Sequence, residues 1–190
     1  TKHNLPSTPT DFQDSLKLLE GSFLTILDHR AAFVNPSVRD YLKQYLNDVN
    51  LLADLAPAAQ SAKWAQEVWQ HYRDLGMHGS ITPSAFVGLF SAVGTRFKDL
   101  KAWRKVPSDP RTLKRNDLAL TDRVKLLAEW QTMSDTDVFS ASLRDLIFNP
   151  SDSFSPWLDG AELPDLIAAF RNGEWKDIAG SDEIAEKLEC

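Results

Sequence analysis

Three features of the 190-residue sequence predict a mainly α-helical protein with a short β-hairpin near its start. Residues 22–27 and 31–34 are β-prone runs separated by Asp28-His29-Arg30, the pattern of a small hairpin. Asn35 and Pro36 then form a corner: Asn is a favoured helix N-cap, and Pro at the first helical position lacks an N–H that would have no partner there. From that corner onward apolar residues recur with a helical period, beginning with Val38, Tyr41, Leu42, Tyr45 and Leu46.

Residues 1–9 are polar and contain proline, and read as a loose lead-in. Thr10-Asp11 opens a helix with Phe12, Leu16 and Leu19 on one face, and Gly21 stops it. Helix, hairpin and the helix from Pro36 follow the order of the second half of a winged helix. Residues 1–55 are therefore assigned to the C-terminal part of a winged-helix-like element, and 56–190 to an irregular helical bundle or α-solenoid. No fixed repeat of about 34 or 40 residues recurs, so a regular repeat array is excluded.

In the second region, Pro57 is expected to start a helix over 58–75 with Ala62, Ala65, Val68, Trp69 and Tyr72 on one face and Gly76 at its end. Thr82-Pro83 is an N-cap and first-turn pair, and Phe86, Leu89, Phe90, Val93 and Phe97 follow at helical spacing. Residues 98–120 read as a helical turn through Trp103 and then a Pro-broken charged stretch, with a hinge at 105–118. Thr121 is the expected cap of a helix carrying Val124, Leu127 and Trp130. Ser134 or Asp135 is the expected cap of the next, which ends at Phe148, and Pro164 opens another that Asn172-Gly173 closes. Trp69, Phe86, Phe90, Trp130, Leu143 and Ile147 are expected to be buried.

Six tryptophans and ten phenylalanines supply ample apolar surface for a core without covalent staples. The net charge of −6 argues against nucleic acid as the main partner, although a local basic cluster is compatible with an acidic whole. The lone cysteine, Cys190, allows neither a disulfide nor a cysteine metal site within one chain, which fits a reducing cytoplasm. No apolar run approaches the roughly 20 residues that span a bilayer. The chain begins Thr1-Lys2-His3-Asn4-Leu5-Pro6, without an initiator methionine or signal-peptide apolar run, and is expected to be a segment of a longer protein.

Motifs for chemistry are scarce. No Gly-x4-Gly-Lys-Ser/Thr, Gly-x-Gly-x-x-Gly or Gly-x-Ser-x-Gly is present, so the chain carries no phosphate-binding loop or nucleophile elbow, and neither cofactor nor metal is expected. His71 and His78 could share a helical face only if the helix ran past Gly76, and a helix-end histidine is the simpler reading. His29 suits a surface turn. The carboxylate pairs Asp135/Asp137 and Glu162/Asp165 lie at helix starts, where acids stabilise exposed N–H groups, so capping is preferred to acid–base work. Arg96, Lys98, Lys101, Arg104, Lys105, Arg111, Lys114 and Arg115 cluster with Trp103 and form the candidate binding patch, weighed against a solvated linker.

The run Asn35-Pro36-Ser37-Val38-Arg39-Asp40-Tyr41-Leu42 resembles a signature just downstream of the ATPase core in some bacterial STAND-class P-loop NTPases. There it closes a winged-helix domain and leads into a helical sensor region. The resemblance covers roughly residues 10–55 and implies that Asn35, Pro36, Ser37, Arg39 and Asp40 are structural, with Arg39 and Asp40 clamping the first helical turn. It further implies a non-enzymatic regulatory and recognition region of a larger signalling or defence NTPase, acting on protein partners or on other domains of its parent chain. The alternative is an independent acidic helical binding protein, such as an immunity protein or scaffold.

Overall fold

The structure, a computed structural model, describes residues 14, 17–21, 23–27, 30–35, 37, 47–76, 81–106, 109–150 and 159–189. It is mainly helical and divides into two compact units, Thr1–Asp48 and Val49–Cys190.

In the first unit, Asp14 and residues 17–19 are helical, and Gly21 takes a positive φ of 85° where the helix stops. Strand β1 (Leu24–Leu27) pairs antiparallel with β2 (Arg30–Phe33), in the register Leu24 to Phe33 through Leu27 to Arg30. The N–H of Val34 donates to the Phe23 carbonyl at 3.0 Å, which carries the pairing one step beyond the strands. The predicted hairpin is present. The helix predicted from Pro36 through Leu46 lies outside the described residues apart from Ser37.

The second unit contains α1 (Val49–Leu55), α2 (Ala62–Asp74), α3 (Pro83–Gly88), α4 (Ser91–Gly94), a 3-10 turn (Phe97–Asp99), β3 (Trp103–Val106), β4 (Asp109–Arg115), α5 (Leu120–Met133), α6 (Val138–Phe148), α7 (Leu163–Asn172) and α8 (Ser181–Glu189). Helix α5 packs against α3, α6 and α7, and α8 packs against α6 and α7. One continuous apolar core joins these helices. Trp69, Phe86, Phe90, Trp130, Leu143 and Ile147 are all buried, as their helical faces predict. The aromatic rings form a continuous file: Tyr72 stacks on Phe86 at 3.9 Å between centroids, Phe86 meets Phe90 edge-on, and Phe90 stacks on Trp130 at 4.6 Å. Trp130 then touches Phe97 and Phe139, so α2, α3, α5 and α6 share one aromatic seam.

Several predicted boundaries move. Helix α2 starts at Ala62, not after Pro57, because the Ser61 side chain accepts the Trp64 N–H as a true N-cap. Its end follows prediction, with Gly76 at φ 76° donating its N–H back to the Arg73 carbonyl. The Thr82 cap and Pro83 first turn are as predicted, but the single helix over 82–97 is three short pieces. Gly94 shows why close packing matters there: a Cβ on it would lie 3.3 Å from both Leu127 Cδ2 and the Phe139 ring.

The largest departure is at 103–115. In place of the predicted helical turn and linker, the chain forms a second antiparallel hairpin, registering Trp103 with Arg115, Arg104 with Lys114 and Lys105 with Leu113. Pro107 and Pro110 oppose a helix interior, and the β-prone Trp103, Val106, Thr112 and Leu113 flank the turn residues between them. The Asp109 side chain accepts the Arg111 N–H at 3.1 Å and the Thr112 hydroxyl at 2.6 Å, fixing the start of β4.

Candidate functional site

The Asn35 corner is partly described. Asn35 Oδ1 accepts the Ser37 N–H at 2.9 Å, the bond an N-cap makes to the second helical residue. Pro36, Arg39 and Asp40 lie outside the described residues, as do His29 and His78.

Beside that corner the first unit presents an apolar surface. Leu18, Leu19, Phe23, Phe33 and Val34 are exposed, Leu18 by 84%. They account for five of the seven exposed large hydrophobic residues among those described, within a stretch of 17 residues. The Val34 N–H to the Phe23 carbonyl and the Leu24–Phe33 pairing bring the backbones at Phe23, Phe33 and Val34 together, and the Phe23 N–H donates to the Leu19 carbonyl at 2.9 Å. Concentration of this kind, rather than exposure as such, marks an interaction surface.

The structure divides the predicted basic patch. Arg96 donates to the Ala59 carbonyl at 3.1 Å, Lys98 pairs with Asp145, and Arg115 pairs with Asp122 at 3.0 Å while its Nε donates to the Asp117 carbonyl. Hydrogen bonding to Asp145 raises the Lys98 pKa, and the same bond, then one from Asn149, lowers that of Asp145. These cations tie elements together. Lys101, Lys105, Arg111 and Lys114 are exposed, and among the described residues none of them has an ion pair. Trp103 is half-buried; the Arg104 backbone registers with Lys114.

The base of this hairpin is anchored by Asp117, 3% exposed. Its carboxylate accepts the N–H groups of Ala62 at 3.0 Å and Lys63 at 2.7 Å, capping α2, and also that of Leu118 at 2.9 Å. Asn116 closes the other side by donating its N–H to the Ala102 carbonyl at 2.7 Å. Sequence reasoning missed this residue, reading it as part of a charged linker. It missed Asp159 as well, whose buried carboxylate accepts both the N–H and the hydroxyl of Thr121 at 2.9 Å. Thr121 is thus capped rather than capping, since α5 begins one residue earlier behind Ala119. Gln131 does the same for α6, accepting the Phe139 and Ser140 N–H groups, in place of the predicted Ser134 or Asp135.

A concavity of about 570 Å³ lies between α2, α5 and α7 and is lined by Arg73, Lys125, Glu129, Asp165, Glu174 and Trp175. Arg73 is bound to Glu129, and Lys125 to Glu162 at 2.5 Å, so its cations are already engaged. Asp135 accepts the Ser84 hydroxyl at 2.6 Å, Gln131 reaches toward Asp137 and Glu162 holds Lys125; Asp137 and Glu162 occupy N-cap positions without a capping side-chain hydrogen bond, and Asp165 lies in the first turn of α7. His71 lies on α2 with its Nε2 buried. Among the described residues no group of three or more His, Cys, Asp or Glu side chains converges as a metal site, and no helix is long and apolar enough to cross a membrane. Compared with known proteins, the chain matches no family model, no curated protein and no solved structure.

Proposed function

We propose that this chain is a non-enzymatic regulatory and recognition region of a larger STAND-like NTPase, acting in cytoplasmic signalling or defence through protein–protein contacts. On this reading, residues 1–55 end a winged-helix element, the Asn35 corner leads into an irregular helical region, and the P-loop module lies upstream. The observation that carries it is the apolar surface of Leu18, Leu19, Phe23, Phe33 and Val34, whose exposure is out of keeping with a hairpin whose contacts are complete. The winged-helix reading gives that surface an occupant, the nucleotide-binding module of the same protein. The polar inventory of the second unit supports the same conclusion, since Asp117, Asp159, Gln131 and Arg123 cap helices and bind carbonyls in it.

Sequencing the reading frame upstream of the Thr1 codon tests this. A Gly-x4-Gly-Lys-Ser/Thr loop in the same frame is expected. A frame that opens without one overturns the assignment.

A further inference from the structure

Charge is segregated along this chain. Between Arg96 and Arg115 lie eight of its 21 basic residues and only two of its 27 acidic ones, although the whole carries −6. The Arg104 side chain lies outside the described residues; of the other seven, Arg96, Lys98 and Arg115 serve the fold, as described above, leaving Lys101, Lys105, Arg111 and Lys114 exposed on or beside the β3–β4 hairpin.

The register of the hairpin decides what such a surface fits. Directly opposed residues share a face and successive residues alternate. Trp103 opposes Arg115 and Lys105 follows two residues later, so Lys105 belongs to the Trp103–Arg115 face, whereas Lys114 belongs to the other. Both lysines are exposed. A flat acidic protein surface would meet one face of the ribbon and leave the second lysine in water. The major groove of B-form DNA, about 12 Å wide, admits a two-stranded ribbon and places phosphates along both its flanks. The ribbon is also held firmly at its root, by Asp117 on α2, by Arg115 on Asp122 and by Asn116 on Ala102. It can therefore present its cations without a large ordering cost.

We propose that the β3–β4 hairpin is a phosphate-backbone contact that seats in the major groove of a B-form DNA duplex through Lys101, Lys105, Arg111 and Lys114. This inference is independent of the NTPase assignment, since it uses neither the first unit nor an upstream module.

The test is fluorescence anisotropy of the full chain with a labelled DNA duplex of about 20 base pairs, titrated at several salt concentrations. Four phosphate contacts predict a slope of log K against log salt of about −3 to −4. K105E/K114E should weaken low-salt binding about tenfold or more and flatten the slope by about 2. A second variant, K101Q/R111Q, should flatten it similarly, and circular dichroism of both should match the parent chain. Absence of duplex binding at low salt overturns the proposal, as does binding unaffected by both variants. Displacement of the duplex by poly-L-glutamate at equal charge concentration also overturns it, because the hairpin would then recognise any acidic chain.

Discussion

Asp117 lies 55 residues from Ala62 in the chain, yet its carboxylate satisfies the first two exposed amides of α2. A helix N-terminus buried without such a partner leaves donors that water cannot reach, so the carboxylate contributes more here than an exposed cap would. Asp117→Ala is expected to lower stability by about 1–3 kcal/mol in urea unfolding, and an unchanged midpoint would remove Asp117 from the framework. Arg123 plays the corresponding part for acceptors: fully buried on α5, it donates to the Phe97 carbonyl at 3.0 Å and to that of Leu100. The short-range cap at Thr82 was legible in the sequence, because a cap and its amide lie within three residues, whereas that at Ser61 was hidden by the helix-start signal of Pro57. Asp117, Asp159 and Arg123 were not legible, because nothing local distinguishes an aspartate that caps a distant helix from one that faces water.

At the level of elements, helices with a strong apolar stripe were readable and weakly marked segments were not. Helix α2 carries Ala65, Val68, Trp69 and Tyr72 inward, and only its first turn was misplaced. The 82–97 stretch kept its buried residues but broke into short pieces, which helical spacing alone does not reveal. The β3–β4 hairpin was hidden by its lysines and arginines, which mask the alternation that marks a strand. The 3-10 turn behind it is joined to α6 by the Lys98–Asp145 pair. Hydrogen bonds from Lys98 and Asn149 hold the Asp145 carboxyl below its ordinary range near about 4. A depressed carboxylate contributes stability that is present above its unfolded value and lost as pH falls through its folded one. Asp145→Asn should therefore lower the thermal midpoint slightly at about pH 6, with the difference fading progressively as pH falls below about 4. The pair is more than a third exposed on the Asp145 side, so the effect is small. A difference that grows on acidification would reverse the assignment of the pair.

At the scale of the whole molecule, the described residues present two kinds of surface. The first unit carries exposed apolar side chains at its hairpin, and the second carries on another hairpin cations that have no ion pair among the described residues. The interior of the second unit is a closed aromatic and aliphatic seam whose polar residues bind backbone groups. The most direct measurement of the proposed function is association in trans, by calorimetry, between this chain and the P-loop module that the proposal places upstream, expressed separately. Saturable binding that Phe23→Asp/Phe33→Asp abolishes, with circular dichroism unchanged, is the predicted result. No association, or association indifferent to those two residues, would contradict it.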